Sequence, residues 1–541
     1  MKAFLIKRYS VFLFCFFALN SILFSQIKPE YDDKFLKANY EQAKHMLENQ
    51  NFPGALELFL LLDNAFPGNS NINYQIGFCY MHIRGKRKQS IPYLEKALQN
   101  VSFAYSGNYF EKTAPYDTYF LLGAVYHITY NFQEAIESYN KYLEYILPFN
   151  PDIMSVVVFE IAKCYNAKEM LNNPVSIKIE NLGAKINSEY PDYSPIISAD
   201  KNFLIFTSRR KAETSSHPDE SGLYNENMYI SKKVNDEWGQ AQLIPGKINT
   251  SGNEASVSIS HDEQRLFIFK ADKGIGNIYV SKFENNNWTK PEKLPSPVNS
   301  KYNETHVSLS ADGRTLYFVS DRPGGYGGRD IYKSLYLGDN KWDIPENLGP
   351  TINTKYNEES PFILFDGVTL YFSSEGHENM GGFDIFSSTI SEDGFWKTPE
   401  NIGYPINTTE DDFFFYMTAD EKNAVFATSR QLIRGMGNID IYYLTIVKPK
   451  KEYVCVRGKI ADKINLEPVI ATLTIKNSET GEIIAKFITD KNEVNFKSTL
   501  PKDNKYILEV EAKGYKTTTK EIYIRPDEKI SYIDFDILLS K

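Results

Sequence analysis

Apolar positions along the chain change their spacing twice. From about Tyr31 to Leu171 they recur every three or four residues, the period of a helix buried along one face. Asn172-Asn173-Pro174 interrupts that spacing, because Asn favours turns and Pro lacks the amide hydrogen a helix needs. From Val175 onward, apolar and polar residues alternate in short runs, the period of a half-buried strand. A last alternating stretch begins near Val454. The pattern predicts a multidomain α + β chain with helices first and strands after.

Within the strand-rich region a single phrase is written five times. Each copy starts with Asn and Ser or Thr, at Asn187, Asn249, Asn299, Asn353 and Asn407, and carries an Asp thirteen residues later: Asp200, Asp262, Asp312, Asp366 and Asp420. A motif of Asp or Asn, an apolar residue and an aromatic follows, with Asn227, Asn277, Asp330, Asp384 and Asp440 leading it. All four tryptophans, Trp238, Trp288, Trp342 and Trp396, share one further phase. Short strands repeating every 50 to 54 residues over the last four copies predict propeller blades. Each blade reads strand, turn, strand, loop, strand, loop, strand. Asp312-Gly313 and Asp366-Gly367 suit a two-residue hairpin turn, whereas Asp200, Asp262 and Asp420 lack the Gly and are expected to turn differently.

Two incomplete ends complement each other. Asn181-Leu182-Gly183 repeats a phrase that follows the Trp strand in later copies (Asn347-Leu348-Gly349, Asn401-Ile402-Gly403), while the last copy stops at Leu444 without a Trp strand. Pairing Val175–Glu180 with that copy would close the ring and remove exposed strand edges. Five blades are expected, with six as the alternative.

The phrase from Ser310 to Arg322, Gly327-Gly-Arg-Asp-Ile-Tyr and Trp396-Lys-Thr-Pro-Glu-Asn-Ile-Gly resemble the TolB-type, WD-like propeller repeat. In the helical region, Ala55, Phe59 and Pro67, then Ile76-Gly77 and Tyr80, then Leu122-Gly123, Tyr126, Ala135 and Tyr139 resemble tetratricopeptide repeats, which implies an α-solenoid of paired helices. The last ninety residues read as a small β-sandwich, and the run from Leu500-Pro501 to Gly514-Tyr515 resembles the carboxypeptidase regulatory-like domain. The expected division is a leader at 1–25, helical repeats at 26–173, the propeller at 174–447 and the sandwich at 448–541.

Composition changes this picture little. Tyr (37) and Phe (36) are abundant, as sheets favour. The net charge of −9, without a dense basic stripe, argues against nucleic acid. Lys2, Lys7 and Arg8 before the apolar run Val11–Phe24 have the form of a secretory signal cleaved after Ser25. Phe14 stands before Cys15 where a lipoprotein signal needs a small residue, so export without a lipid anchor is expected. Cys79, Cys164 and Cys455 form no disulfide framework or zinc spacing and are expected to be buried thiols.

Candidate chemistry is sparse. The Gly-rich stretches Gly324–Gly328 and Gly381-Gly382 precede strands rather than helices, so they are expected to be loops and not phosphate cradles. His45, His82, His127, His217, His261, His306 and His377 show no metal-ligand spacing, although His261 and His306 could meet at a ring face. Glu254, Glu304, Glu358, Glu359, Asp411 and Asp412 recur about five residues after the blade Asn and should gather on one rim. A carboxylate in nearly every copy is more simply structural than a glycosidase pair. No catalytic residue, cofactor or metal is expected.

The order of the three domains resembles OmpA-family envelope proteins of Bacteroidota, including a PorE-like component associated with type IX secretion and gliding. That resemblance implies a non-catalytic scaffold of the cell envelope, periplasmic and outer-membrane associated, or alternatively at the cell surface. The implied partners are other envelope proteins, among them an outer-membrane lipoprotein or secretion-machinery component, met through the helical repeats and a propeller face. The family usually continues into a peptidoglycan-gripping domain; this sequence ends after the sandwich, so direct peptidoglycan binding is not carried over. The competing reading is a glycan-binding or glycan-cleaving propeller.

Overall fold

The computed structural model describes residues 32–83, 85–214, 217–219, 221–391, 393–430, 437–446, 453–489, 495–502, 504–525, 532–534 and 536–541. The expected leader, the basic linker at 448–451 and the turn at 490–493 lie outside them. The chain has a helical N-terminal region and a strand-rich remainder. It divides into two compact units, one holding the described residues to Val125 with Glu137–Pro151, the other Tyr126–Ile136 with the described residues from Asp152 on.

Seven α-helices lie among the described residues: α1 (Asp33–Glu48), α2 (Phe52–Ala65), α3 (Ser70–His82), α4 (Ser90–Ala97), α5 (Asp117–Ile128), α6 (Phe132–Ile146) and α7 (Ile153–Asn172). Asp32, Asn51 and Asn69 start the first three by accepting hydrogen bonds from Lys34, Gly54 and Ile72 N–H. In the first unit glycine permits two close helix contacts. A Cβ on Gly77 would lie 2.5 Å from Leu94 Cδ2, and one on Gly123 would lie 2.7 Å from the Tyr139 ring. The segment between α4 and α5, where the sequence suggested nothing, pairs Val101–Ser102 with Ala114–Pro115 and closes a loop of its own.

In the second unit, each of the five copies forms one antiparallel sheet. Their first strands are Asp192–Ile197, Glu254–Ile259, Glu304–Leu309, Glu358–Ile363 and Asp412–Met417, and each neighbours the next, the fifth neighbouring the first. The fourth strand of the last sheet is Ile177–Asn181, registered antiparallel on Asp440–Ile446 with Asn181 opposite Tyr442. Every first strand carries a register shift against its second.

Five carboxamides hold the sheets to one another. Each repeat-starting Asn accepts an N–H and donates to the C=O of one residue in the preceding sheet's third strand, so its side chain mimics a strand partner. Asn249 does this to Met228, Asn299 to Ile278, Asn353 to Ile331, Asn407 to Ile385 and Asn187 to Ile441, all between 2.7 and 3.0 Å. Asn187, Asn299, Asn353 and Asn407 are buried and Asn249 partly so, so an unmade bond would leave a costly orphan.

α7, assigned from the sequence to the helical segment, packs on this ring as well as meeting His127 of α5 through Cys164. Its Asn166 donates to Asn379 O at 3.1 Å and Phe159 stacks on Tyr356 with ring centres 4.9 Å apart. The last segment forms two four-stranded sheets around Val456, Leu473, Phe496, Leu508 and Ile537. Replacing Asn187 with Ala removes both bonds at the closing joint and is expected to cost about 1–3 kcal/mol. The cost should be read as a lower melting temperature with earlier proteolysis near 177–187; an unchanged melt would show that the joint does not depend on this side chain.

Candidate functional site

The sequence-marked acids are spent on turns and loops. Asp200, Asp262, Asp312, Asp366 and Asp420 each sit in the turn between first and second strand and accept backbone N–H groups there. These are not the two-residue turns expected for Asp-Gly. The residue after each Asp is left-handed, with φ between 50° and 71°, and donates to the carbonyl three residues back at 2.8 to 3.0 Å. Lys201, Glu263 and Glu421 adopt this conformation as Gly313 and Gly367 do, so the copies without Gly do not turn differently; the turn's own bonds and neighbouring contacts outweigh the modest cost of a left-handed non-Gly residue.

Asp330, Asp384 and Asp440 open third strands, cap the preceding loop and accept from Asn347, Asn401 and Asn181 at 2.7, 2.7 and 3.1 Å. Trp238, Trp288 and Trp342 pair with the far ends of third strands, and Trp396 bridges Ile390 and meets Tyr317 of the neighbouring sheet edge-on, 6.2 Å between ring centres.

A ring of acids at the head of the first strands is complete only with Asp192, which the sequence reading missed. Asp192, Glu254, Glu304, Glu358 and Asp412 are fully buried. Each accepts the N–H of the Ser or Thr that follows the clasping Asn, at 2.5 to 2.9 Å. Four also meet a cation: Arg210 at 2.5 Å, Lys270 at 2.7 Å, Arg322 at 3.0 Å and Arg430 at 2.6 Å. The arginines stand eighteen residues after their acids, a spacing set by one hairpin, and each guanidinium lies over two aromatic rings.

The fourth sheet departs from this scheme. Gly376 stands where the arginine would, and a Cβ there would fall 2.0 Å from Thr354 Oγ1, so no side chain fits. His377 takes the space between Phe372 and Phe386 and bonds Ile352 O at 2.8 Å, a carbonyl equivalent to one the arginines bind. Glu358 keeps Thr354 and Ser374 as partners but meets no cation among the described residues. Burial, with Asp330 nearby, pushes its pKa up to about 7.

The first strands line an axial cavity of about 20 Å³, room for a water molecule. Next to the lining residue His306, Glu359 is bonded to His306 Nδ1 at 2.5 Å and ion-paired with Arg329 at 2.6 Å, and these partners hold its carboxyl below the usual range despite burial. Phe414 lies between Tyr193 and His306, ring centres 5.7 and 5.2 Å away. Neither of two adjacent glutamates thus meets the requirements of a general acid. Glu358 has a suitable pKa but no exposure, and Glu359 is buried with its carboxyl pKa held low by its partners.

His261 and His306 do not meet. His306 lies near the start of its first strand, while His261 lies beyond the end of another, where Nε2 accepts Thr499 N–H of the C-terminal sandwich at 2.9 Å. Lys497 of the sandwich pairs with Glu263, and Tyr453 donates to Glu421 at 2.5 Å, so the sandwich is seated on the turns at that end of the ring. Cys79, Cys164 and Cys455 are buried and free. Among the described residues no group of three His, Cys, Asp or Glu is placed to hold a metal ion, and no helix is long and apolar enough to cross a membrane.

No family model and no curated protein matches the chain. Solved structures similar to it include a putative TolB from Agrobacterium tumefaciens (14% identity, 60% of this chain, 97% of that chain, TM-score 0.31). TolB from Acinetobacter baumannii is similar at 13% identity over 57% of this chain and 65% of that chain, with TM-score 0.31. An endo-arabinase from Bacteroides thetaiotaomicron is similar at 13% identity over 49% of this chain and 99% of that chain, with TM-score 0.32.

The raised pKa of Glu358 fixes the sign of a pH dependence. Its stabilising, protonated state is fully present below the ordinary value of 4.5 and is lost as pH rises through about 7. Glu358→Gln keeps an acceptor for Thr354 N–H and gives a donor to the two hydroxyls. The variant is expected to be more stable than the wild type at pH 8, by up to about 3 kcal/mol, and to show no gain at pH 5. Thermal melts at both pH values check this, and a gain of equal size at both would refute it.

Proposed function

We propose that the ring is a five-bladed propeller of TolB type, flanked by tetratricopeptide-like hairpins and a carboxypeptidase regulatory-like sandwich, and that the protein is a non-catalytic, protein-binding scaffold of the bacterial cell envelope. The observation that carries this reading is the use of the ring's carboxylates. All five buried acids are bonded to the chain's own Ser or Thr, and Glu359 is paired with His306 and Arg329. A glycosidase needs one carboxyl protonated and one ionised on either side of a substrate, and a cavity with room for one water leaves no place between them.

The basic and apolar start of the sequence supports export. We place the protein in the periplasm, associated with the outer membrane, with a lipoprotein or secretion-machinery component as partner and a role in type IX secretion or gliding. Glycan binding is the second reading, favoured by the aromatic ring of Phe414 at the wall of the cavity, with Tyr193 and its partner Glu226 behind it.

Affinity isolation from crosslinked envelope fractions tests the scaffold. Recovery of outer-membrane or secretion components in stoichiometric amounts is expected. Glycoside hydrolysis by the purified chain that disappears in Glu359→Gln would overturn the non-catalytic reading.

A further inference from the structure

The segment between α4 and α5 lies against the α1 and α3 faces and bonds them mainly through its backbone. Tyr40 Oη donates to Gly107 O at 2.8 Å, Asn71 Nδ2 to Asn108 O at 3.3 Å, Asn69 Nδ2 to Glu111 O at 3.1 Å and Ser70 N to Lys112 O at 3.2 Å. Reading main-chain carbonyls in this way places little demand on the sequence of what is bound. Two aromatic side chains supply the rest. Tyr105 donates to Asn71 Oδ1 at 2.7 Å and meets Tyr74 edge-on, while Tyr109 packs on Tyr40 and Phe66 and donates to Asp33 at 2.6 Å.

The two sides of this contact are built differently. On the helices the floor is polar and deeply buried: Asn71 is 0%, Gln75 3% and Tyr40 1% exposed. A plug needed only for folding would be expected to cover apolar surface, because buried amides add little net stability. On the other side, none of residues 101–113 is fully buried. The segment also folds on itself. The Glu111 carboxylate accepts from Ser106 N and Oγ, Lys112 N, and Thr113 N and Oγ1 at 2.7 to 3.0 Å, and these bonds lower its pKa to about 2. It can therefore lift and return as a unit, exposing amides that water satisfies.

We propose that the α1–α3 face is a binding site for a tyrosine-bearing loop of a partner protein, and that residues 102–113 are a built-in pseudo-ligand that occupies it until such a loop displaces them. The proposal rests on the protein-binding reading above and adds where the partner enters and what chemistry it brings: free main-chain carbonyls and two aromatic side chains four residues apart.

The test uses the full chain with residues 103–112 replaced by a Gly/Ser run of equal length, and a fluorescent synthetic peptide of the sequence Ser102–Thr113 as probe. The peptide is expected to bind this variant and to bind the wild type at least tenfold more weakly, since a tethered competitor acts at roughly millimolar effective concentration. Asn71→Ala in the replaced background should weaken binding about tenfold or more. Equal binding to wild type and variant, or no binding to a variant with native helical content, overturns the proposal. Should the variant not fold, hydrogen exchange on the wild type decides. The amide of Ser70, bonded across the contact to Lys112 O, should exchange at least tenfold faster than that of Asn73 in α3, and equal protection would make the segment an integral element of the fold. Neither result bears on partner recovery from envelope fractions, so the two readings fail separately.

Discussion

A carboxamide that imitates a peptide group holds the ring of this protein together. A sheet with a free edge offers donors and acceptors to any passing strand. Here each sheet offers its third-strand backbone to one Asn side chain of the next, and that side chain both accepts and donates. Because the bonds are short and largely shielded from water, they fix where each first strand starts and thus the phase of everything after it. The Ser or Thr beside each Asn then meets the buried acid, and the acid in four sheets meets its cation. One geometric unit is repeated, and the Asp192 and Arg210 pair follows from it as surely as Glu304 and Arg322.

Such a unit leaves little chemical freedom inside the ring. Acids that would suggest hydrolysis are held in place by hydroxyls, amides and guanidinium groups. The departure in the fourth sheet shows how closely the pieces are coupled. Gly376 is required by Thr354, the arginine is thereby lost, His377 fills the aromatic slot, and Glu358 is left without a cation, its pKa raised by burial. The polar face of α1 and α3 differs from the ring in this respect, because what satisfies it is the backbone of the chain's own folded-back loop.

Much of the strand-rich region is legible in the sequence, because a repeat multiplies weak signals. Asn181-Leu182-Gly183, seen beside its two later copies, points to a strand in search of a sheet, and Ile177–Asn181 does pair with Asp440–Ile446. The phase of Asn187, Asn249, Asn299, Asn353 and Asn407 is equally plain, but not their purpose, since the residue each one clasps stands in the sheet before it. Asp192 escapes notice because Asp replaces Glu in a copy whose other landmarks are irregular. The cations escape because Lys270 keeps a different distance from its acid than Arg210, Arg322 and Arg430 keep from theirs. The turn after Asp200 is misjudged from sequence because Lys ordinarily avoids the left-handed conformation that the surrounding bonds impose.

By itself the sequence determined the order of helix and strand, the repeat and its phase, and the residues able to turn or cap, because these depend on neighbours within a few positions. The tertiary structure decided which of those residues meet. It brought Asn187 to Ile441, Gly376 against Thr354, Lys497 to Glu263 and Asn71 to Asn108. Pairings across a closed ring or a folded-back loop carry no periodic signal along the chain; they arise only when burial makes an unpaired polar group too costly to leave alone.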